Sequence, residues 1–204
     1  TIGLCHLNSD VDNESIVDCS GAPSDIAEYN ETESNVESGD IVVTTNKSIT
    51  YKGVTLINWN TEGPDGDPET ISVLAKSSTP YQNNSVGVIS TAPYQLFGEK
   101  ILSVAKHPMP LGITGRVPVK VTTESGPVQA GDYLTTSSTP GHAMKATQSG
   151  RVIGMALGNF NGSKGKVMLQ LMNFYWNAPG ELQGNTVSAS LQNVANILKV
   201  EKLV

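Results

Sequence analysis

Short apolar runs, each ended by Gly, Pro, Asp or Ser, dominate the chain from residue 41 to residue 173. Runs of this length with turn residues between them are typical of strands in an all-β barrel or sandwich, and they do not suggest alternating strands and helices. The pattern therefore predicts a mainly β fold. The predicted strands are Ile41 to Thr45, Val54 to Trp59, Ile71 to Ala75, Val86 to Ser90, Val117 to Thr122, Tyr133 to Thr136, Arg151 to Leu157 and Lys166 to Asn173.

The two ends of the chain lack this strand pattern. Residues 1–22 are polar and aperiodic, which favours an extended lead-in, and a short helical turn is predicted from Ser24 or Asp25 to about Tyr29. From Val187 the apolar positions follow steps of four, three and four, as in an amphipathic helix. Packing on its own domain and pairing with copies of itself as a short coiled coil both fit such a helix. The predicted organisation is a lead-in over 1–22, a β-rich domain over 23–178 and a C-terminal helix over 179–204.

Three segments of the β-rich region occur twice in similar form. The pairs are Ser38-Gly39-Asp40-Ile41-Val42 with Ala130-Gly131-Asp132-Tyr133-Leu134, Val86-Gly87-Val88-Ile89 with Ile153-Gly154-Met155-Ala156, and Ser-Ser-Thr-Pro at 77–80 with the same tetrapeptide at 137–140. The intervals between the pairs differ, so they indicate recurrent turn chemistry more than a clean duplication. In both Gly-Asp pairs, glycine supplies an unusual φ at a turn before a strand.

Composition narrows the class of partner. The 204 residues carry a net charge of −6, with 16% charged residues and no basic stripe, which argues against nucleic acid as a partner. No apolar run approaches a membrane span. The chain opens on Thr1 without an initiator Met, so we expect it to be part of a longer protein. Cys5 and Cys19 fit a short-loop disulfide and free thiols equally well.

The candidate chemistry lies at Ser24-Asp25-Ile26-Ala27-Glu28. In a helical turn, positions i and i+3 share a face, so Asp25 and Glu28 would act together on the Ser24–Asp25 peptide bond as a carboxylate pair. The same spacing is also typical of a helix N-cap with its capping-box acid. Gly162-Ser163-Lys164-Gly165-Lys166 lacks the phosphate-loop spacing and predicts a hairpin turn instead.

Several segments occur in an order that resembles one family. They are Ser24 to Glu28, Ser38 to Val42, Val86 to Pro93, Gly115 to Val121, Gly131 to Leu134 and Gly150 to Leu157. Together they resemble the C-terminal intramolecular chaperone and autoproteolytic domain of bacteriophage neck-appendage and tail-spike proteins, a glutamic-type peptidase. The resemblance covers about residues 22 to 173.

The resemblance implies a homotrimer that assembles the upstream fibre segment of the same chain and then cuts itself. It implies cleavage at Ser24–Asp25 with Asp25 and Glu28 as the catalytic pair and no cofactor required for the cut. ATP binding after cleavage is implied as well, although no motif here marks such a site. The implied location is the host cytoplasm during virion assembly, with a cell surface as the alternative.

Two other functions and a second cleavage route stay open at this point. A structural or receptor-binding fibre tip would use Asp25 and Glu28 only as a helix cap. An acyl shift to the Ser24 hydroxyl would cut Pro23–Ser24 instead, so the new N-terminus separates the two routes. A hydrolase that acts on other molecules is least favoured, because no Ser, His and Asp arrangement supports one.

Overall fold

The computed structural model describes residues 24–52 and 68–179. The fold is mainly β, as predicted, with ten strands and one short 3-10 helix in these ranges. The strands are β1 (Ser24–Glu31), β2 (Ile41–Lys52), β3 (Pro68–Lys76), β4 (Ser85–Ile89), β5 (Gln95–Phe97), β6 (Pro108–Thr122), β7 (Tyr133–Thr136), β8 (Ala143–Lys145), β9 (Gly150–Ala156) and β10 (Lys164–Trp176), and the 3-10 helix is Glu99–Ser103.

Seven of the eight strands predicted from the sequence fall within the described ranges, and all seven are present. β7 has the predicted bounds, β3 and β10 extend beyond them, and β2 runs seven residues further, to Lys52. The predicted strand at 54–59 and the predicted C-terminal helix lie outside the described residues. The sequence did not predict β1, β5 or β8, because β1 lacks an apolar run and the other two are only three residues long.

The long strand β6 organises the sheet. Its C-terminal part pairs with β10 and, in parallel, with β8, and the pairings β10–β9, β9–β7 and β7–β8 close a ring of five strands. Its N-terminal part pairs with β4 on one side and β1 on the other, and β4 continues to β2 and β3. A parallel bridge from Thr32 to Leu74 joins the end of β1 to β3. The strands therefore form two rings that share β6, which corresponds to the barrel of the two predicted alternatives, a barrel or a sandwich.

The two rings enclose two apolar cores. Most of the larger core comes from the ring of β6 to β10, with one residue each from β2 and β4, and the smaller core comes from β2, β3, β4 and the turn before β2. Burial of apolar surface is the main stabilising term, so we expect the ring of β6 to β10 to be the better stabilised. The larger core contains Ile41, Val88, Val117, Val119, Val121, Val128, Leu134, Ala143, Ile153, Ala156, Val167, Leu169 and Leu171, and the smaller contains Val36, Val42, Leu74 and Ile89.

The first Gly-Asp turn connects β1 to β2 and docks on the end of β4. The Asp40 carboxylate accepts the amide of Glu37 at 2.8 Å, and the Asp40 amide donates to the Glu37 carbonyl at 3.1 Å. Gly39 has φ +87°, a conformation that glycine adopts without strain. Its amide donates to the carbonyl of Ile89, whose own amide donates to the Asp40 carbonyl.

The second Gly-Asp turn repeats this arrangement bond for bond. The Asp132 carboxylate accepts the amide of Gln129 at 2.8 Å, and the Asp132 amide donates to the Gln129 carbonyl at 3.0 Å. Gly131 has φ +94°, and its amide donates to the carbonyl of Ala156, whose amide donates to the Asp132 carbonyl. The predicted turn chemistry is confirmed.

The repetition extends from the turns into the strand register. Ile41 pairs with Val88 as Tyr133 pairs with Met155, and β4 then pairs with β6 as β9 pairs with β10. The molecule thus contains two equivalent halves, which we call the first half (24–52 with 68–112) and the second half (116–171). The intervals differ because β3 and most of β2 occur only in the first half, whereas β8 occurs only in the second.

Candidate functional site

Residues Ser24 to Glu28 form the start of β1, so the predicted helical turn is wrong. β1 lies between β5 and β6, whose backbones supply hydrogen bonds on both sides, and this pairing overrides the local cap signal. Side chains alternate between the two faces of a strand. Asp25 is therefore buried on the inner face, whereas Glu28 is exposed on the outer face.

The structure accordingly does not bring Asp25 and Glu28 of one chain together as a carboxylate pair. Side chains at i and i+3 share a face in a helix. In a strand, an odd separation places the two side chains on opposite faces. A shared proton between them would need a Glu28 from a second copy of the chain. Ser24 and Asp25, the predicted cleavage site, form the first two residues of β1.

The Asp25 carboxyl is deeply buried, with 1% of the residue exposed. Neither of its oxygens has a hydrogen-bond partner of good geometry among the described residues, and the same is true of the nearby Ser90 hydroxyl. Buried polar groups are nearly always hydrogen-bonded, and an unpaired one costs about 1–3 kcal/mol. Such a costly arrangement at the predicted cut site marks Asp25 as the centre of the candidate site.

Burial raises the pKa of the Asp25 carboxyl above its ordinary value, and the Ser90 hydroxyl and the Asp25 backbone offset only part of that rise. Desolvation disfavours the charged form of a carboxylate, so the neutral acid is favoured to a higher pH than usual. A carboxyl that keeps its proton can act as a general acid toward the amide nitrogen next to it.

The Ser24–Asp25 peptide bond is held tightly against β6. Asp25 pairs with Gly115, which has φ +103°, and a Cβ at Gly115 would overlap the Ser24 carbonyl oxygen and lie 2.7 Å from the Asp25 Cα. The Asp25 carbonyl accepts the Tyr94 amide at 2.9 Å, and the Gln170 side chain donates to the Gly115 carbonyl at 3.1 Å. These contacts fix the bond in one position.

Glu28 lies beside an exposed aromatic residue. It pairs with Phe97 of β5, and a Cβ at Gly98 would lie 2.8 Å from the Glu28 Cγ. Phe97 is 47% exposed, and Ile113, the extra residue at the irregularity between β6 and β1, is 55% exposed. Glu28 therefore belongs to a partly apolar outer surface, and it does not line the interior around Asp25.

Three residues that hold this region in place were not assigned to the site from the sequence. Ser90 and Gly115 surround the candidate bond, and both lie in segments that the family resemblance includes. Glu31 is 5% exposed, and its carboxylate accepts the backbone amides of Lys106 and His107. A carboxylate satisfied by backbone amides is a structural anchor for the end of β1.

A second charged cluster lies at the first Gly-Asp turn. Asp40 is fully buried and binds Lys120 at 2.9 Å and Lys76 at 3.1 Å, while Glu37 binds Lys120 at 2.6 Å. The hydrogen bond from Lys120 lowers the pKa of Glu37, and the two carboxylates raise the pKa of Lys120 despite its partial burial. The two carboxylates and the two lysines carry equal and opposite charge. The cluster therefore has a structural role, because it ties the turn before β2 to β3 and β6.

Other predicted features bear less on the site. Gly162 to Lys166 form the loop between the antiparallel strands β9 and β10 and the start of β10, as the hairpin prediction requires. Cys5 and Cys19 lie outside the described residues. No group of three metal-ligating side chains occurs within 24–52 and 68–179.

Comparisons with protein-family models, with curated proteins and with solved structures found no match to this chain. Across the part of the chain that the structure describes, no helix is both long and apolar enough to cross a membrane. The function of the chain is therefore inferred from the geometry around Asp25 and from the order of the sequence motifs.

Proposed function

We propose that this chain is an intramolecular chaperone that assembles an upstream fibre segment as a homotrimer and then releases itself by cutting Ser24–Asp25. The observation that carries the proposal is the Asp25 carboxyl, which is buried, lacks a well-formed hydrogen bond and directly follows the candidate bond. A cut at this bond would remove only Ser24 from β1, so the released domain would keep every described strand.

The proposed reaction is a peptide hydrolysis. Water adds to the Ser24 carbonyl carbon and loses a proton to a carboxylate base, the carbon–nitrogen bond breaks, and Asp25 gives its proton to the departing nitrogen. The products are a carboxylic acid at Ser24 and an amine at Asp25. The raised pKa of Asp25 suits this role, because it keeps the acid protonated closer to neutral pH.

The base in this proposal is Glu28 of a neighbouring copy in the trimer. Glu28 faces outward beside Phe97, where a docking copy would cover it, and within one chain it lies on the face of β1 opposite Asp25. Cleavage would then wait for assembly. This order suits a fibre, since trimerising first lowers the entropic cost of registering the chains, and release afterwards traps the product kinetically.

The test is the N-terminal sequence and intact mass of the full chain carrying an N-terminal tag. We expect a fragment that begins at Asp25 and remains trimeric. Asp25→Asn and Glu28→Gln each stop the cut and leave the trimer intact, whereas Glu33→Gln, a matched change at a neighbouring partly exposed acid, cuts normally. An uncut chain in the assembled trimer contradicts the proposal, and a fragment that begins at Ser24 favours the hydroxyl route.

Co-expression of the two inactive variants tests which copy supplies the base. A D25N chain carries an intact Glu28, and an E28Q chain carries an intact Asp25 and cut site. If the base acts between copies, the mixed trimers cut the E28Q chain only. If neither chain is cut in mixed trimers while the parent chain cuts itself, the proposed exchange between copies is wrong.

A structural or receptor-binding fibre tip is the second candidate. It is favoured by the regular pairing of Ser24 and Asp25 with β6, since a strand without chemistry would be paired in the same way. Under this function the chain stays whole at every pH, and Asp25→Asn changes stability alone.

A further inference from the structure

We propose that Ser90 is the positioning residue for the Asp25 carboxyl in the candidate cleavage site. The inference rests on the proposed function for its consequence, but its basis is geometric. Both side chains are buried and neither has another polar partner among the described residues, and the amide of Tyr94, four residues after Ser90, donates to the Asp25 carbonyl at 2.9 Å. Ser90 is 1% exposed, and its hydroxyl lacks a hydrogen bond of good geometry to any described residue. Hydrogen bonds of catalytic groups are often poorly aligned before the reacting state forms.

The backbone of Ser90 is fixed independently of its hydroxyl. Its amide donates to the Pro110 carbonyl at 2.8 Å, and its carbonyl accepts the Ser38 hydroxyl at 3.4 Å. The residue is thus held between β6 and the first Gly-Asp turn. Its side chain needs no polar partner to keep the chain in place, so the hydroxyl is not explained by the fold.

The second half of the molecule provides an internal control for this position. Leu157 follows β9 as Ser90 follows β4, and the Leu157 amide donates to the Met168 carbonyl at 2.8 Å, the equivalent bond. Leu157 is 43% exposed. The backbone arrangement therefore does not require a hydroxyl at this position, which is exposed in the second half and buried in the first. The first half bears the cost of a buried, unpaired hydroxyl there.

The influences on the Asp25 pKa are few. Burial raises it, and the Ser90 hydroxyl and the Asp25 backbone lower it. Among the described residues, no charged side chain of the elements packed on β1 contributes, including Glu28 on β1, Arg116 on β6 and Glu99 in the 3-10 helix. The Ser90 hydroxyl is therefore the donor that we assign to the carboxylate formed when Asp25 gives up its proton.

The test measures the titration of Asp25 by ¹³C NMR in the full-length E28Q chain, where the proposed function expects the bond to stay intact. Adding Ser90→Ala removes the donor, so we expect the Asp25 midpoint to rise by about one pH unit. Ser77→Ala is the matched control, since Ser77 is also a fully buried serine with an unpartnered hydroxyl among the described residues. It should leave the midpoint unchanged.

Two further variants test whether the hydroxyl, as a hydrogen-bond donor, is what moves the Asp25 midpoint. Ser90→Thr keeps the hydroxyl and should restore the parent midpoint, and Ser90→Cys, a weaker donor of similar size, should give a smaller rise. An Asp25 midpoint that S90A leaves unmoved, or moves no more than S77A does, overturns the inference.

The cleavage reaction gives a separate readout in chains that retain Glu28. Because Asp25 must be protonated to act as the acid, S90A should shift the high-pH limit of cleavage upward by the same unit. A chain that never cuts, but in which S90A still moves the Asp25 midpoint, refutes the proposed function and supports the pairing. Cleavage whose pH limit S90A leaves unchanged overturns the positioning role.

Discussion

The two halves share one framework and differ in what they bury in it. In both, a Gly-Asp turn docks on the end of a strand, and in both the aspartate accepts the amide three residues before it. Most of the larger apolar core comes from the second half, whereas the first half also buries the Asp25 carboxyl and the Ser90 hydroxyl. The turn and the strand register are therefore requirements of the fold, and the two buried polar side chains are additions to it.

The two turn aspartates show the same division. Asp40 is fully buried and joins Lys76 and Lys120, whereas Asp132 is partly exposed and binds Lys145 alone at 3.0 Å. The first turn thus ties three strands together, although its local hydrogen bonds equal those of the second. Equivalent positions in a repeated framework are not energetically equivalent when their burial differs.

The largest expected effect is a difference in stability between variants of the two turn aspartates. Asp40→Ala leaves Lys76 and Lys120 partly buried with only Glu37 as a partner, so we expect a loss of about 3 kcal/mol in the free energy of unfolding. Asp132→Ala removes one turn hydrogen bond and a more exposed ion pair, which costs about 1 kcal/mol. Urea denaturation of both variants checks the order. Equal losses would contradict the distinction.

The next effect contrasts two glycines that share a left-handed backbone. Alanine at Gly131 meets open space, so Gly131→Ala should cost only the conformational strain of about 1–2 kcal/mol. Alanine at Gly115 adds an overlap with the Ser24 carbonyl and the Asp25 Cα, so the pairing of β1 with β6 must yield. We expect Gly115→Ala to remove hydrogen-exchange protection from β1 while G131A leaves it intact. Retained protection in G115A would show that the approach is less tight than described.

The smallest effect concerns pH and the carboxyl that only the first half buries. Because the pKa of Asp25 is raised in the folded chain, its stabilising contribution is full below its unfolded value and is lost as pH rises toward the folded value. Asp25→Asn does not titrate, so its stability relative to the parent chain should increase with pH over that window. Chemical denaturation at a series of pH values measures the difference.

The control for the pH experiment is Glu37, whose pKa is shifted the other way. Its contribution is present above its unfolded value and is lost as pH falls, although its exposure keeps the effect small. Glu37→Gln should therefore differ from the parent chain mainly at neutral pH. A D25N chain whose stability runs parallel to that of the parent chain at every pH would mean that Asp25 is not perturbed by burial.

Much of the fold could be predicted from local pattern. Strands such as β4, β7 and β9 have apolar residues in short runs between turn residues, and the two Gly-Asp turns depend on four neighbouring residues each. The repeat of the whole framework could not be predicted, because insertions of different length hide the equivalence in the sequence. Only the strand pairing shows that Ile41 and Tyr133 occupy the same place.

The candidate site was predicted in part. Ser24 and Asp25 were named as the cut site from the motif, and the family role of that pair stays a prediction. The helical turn was wrong because the capping signal of Asp25 and Glu28 is worth about 1 kcal/mol, less than the pairing of β1 on both sides offers. Ser90 was not assigned, since nothing in its local sequence points to a carboxyl 65 residues earlier.

Local sequence is enough to predict a mainly β chain, the positions of its Gly-Asp turns and most of its short strands, because these depend on neighbouring residues. Tertiary packing alone makes Ser24 to Glu31 a strand, turns Asp25 inward and Glu28 outward, and brings Gly115 against the candidate bond. These features depend on partners far along the chain, and burial, which sets the chemistry of Asp25, exists only once those partners have packed around it.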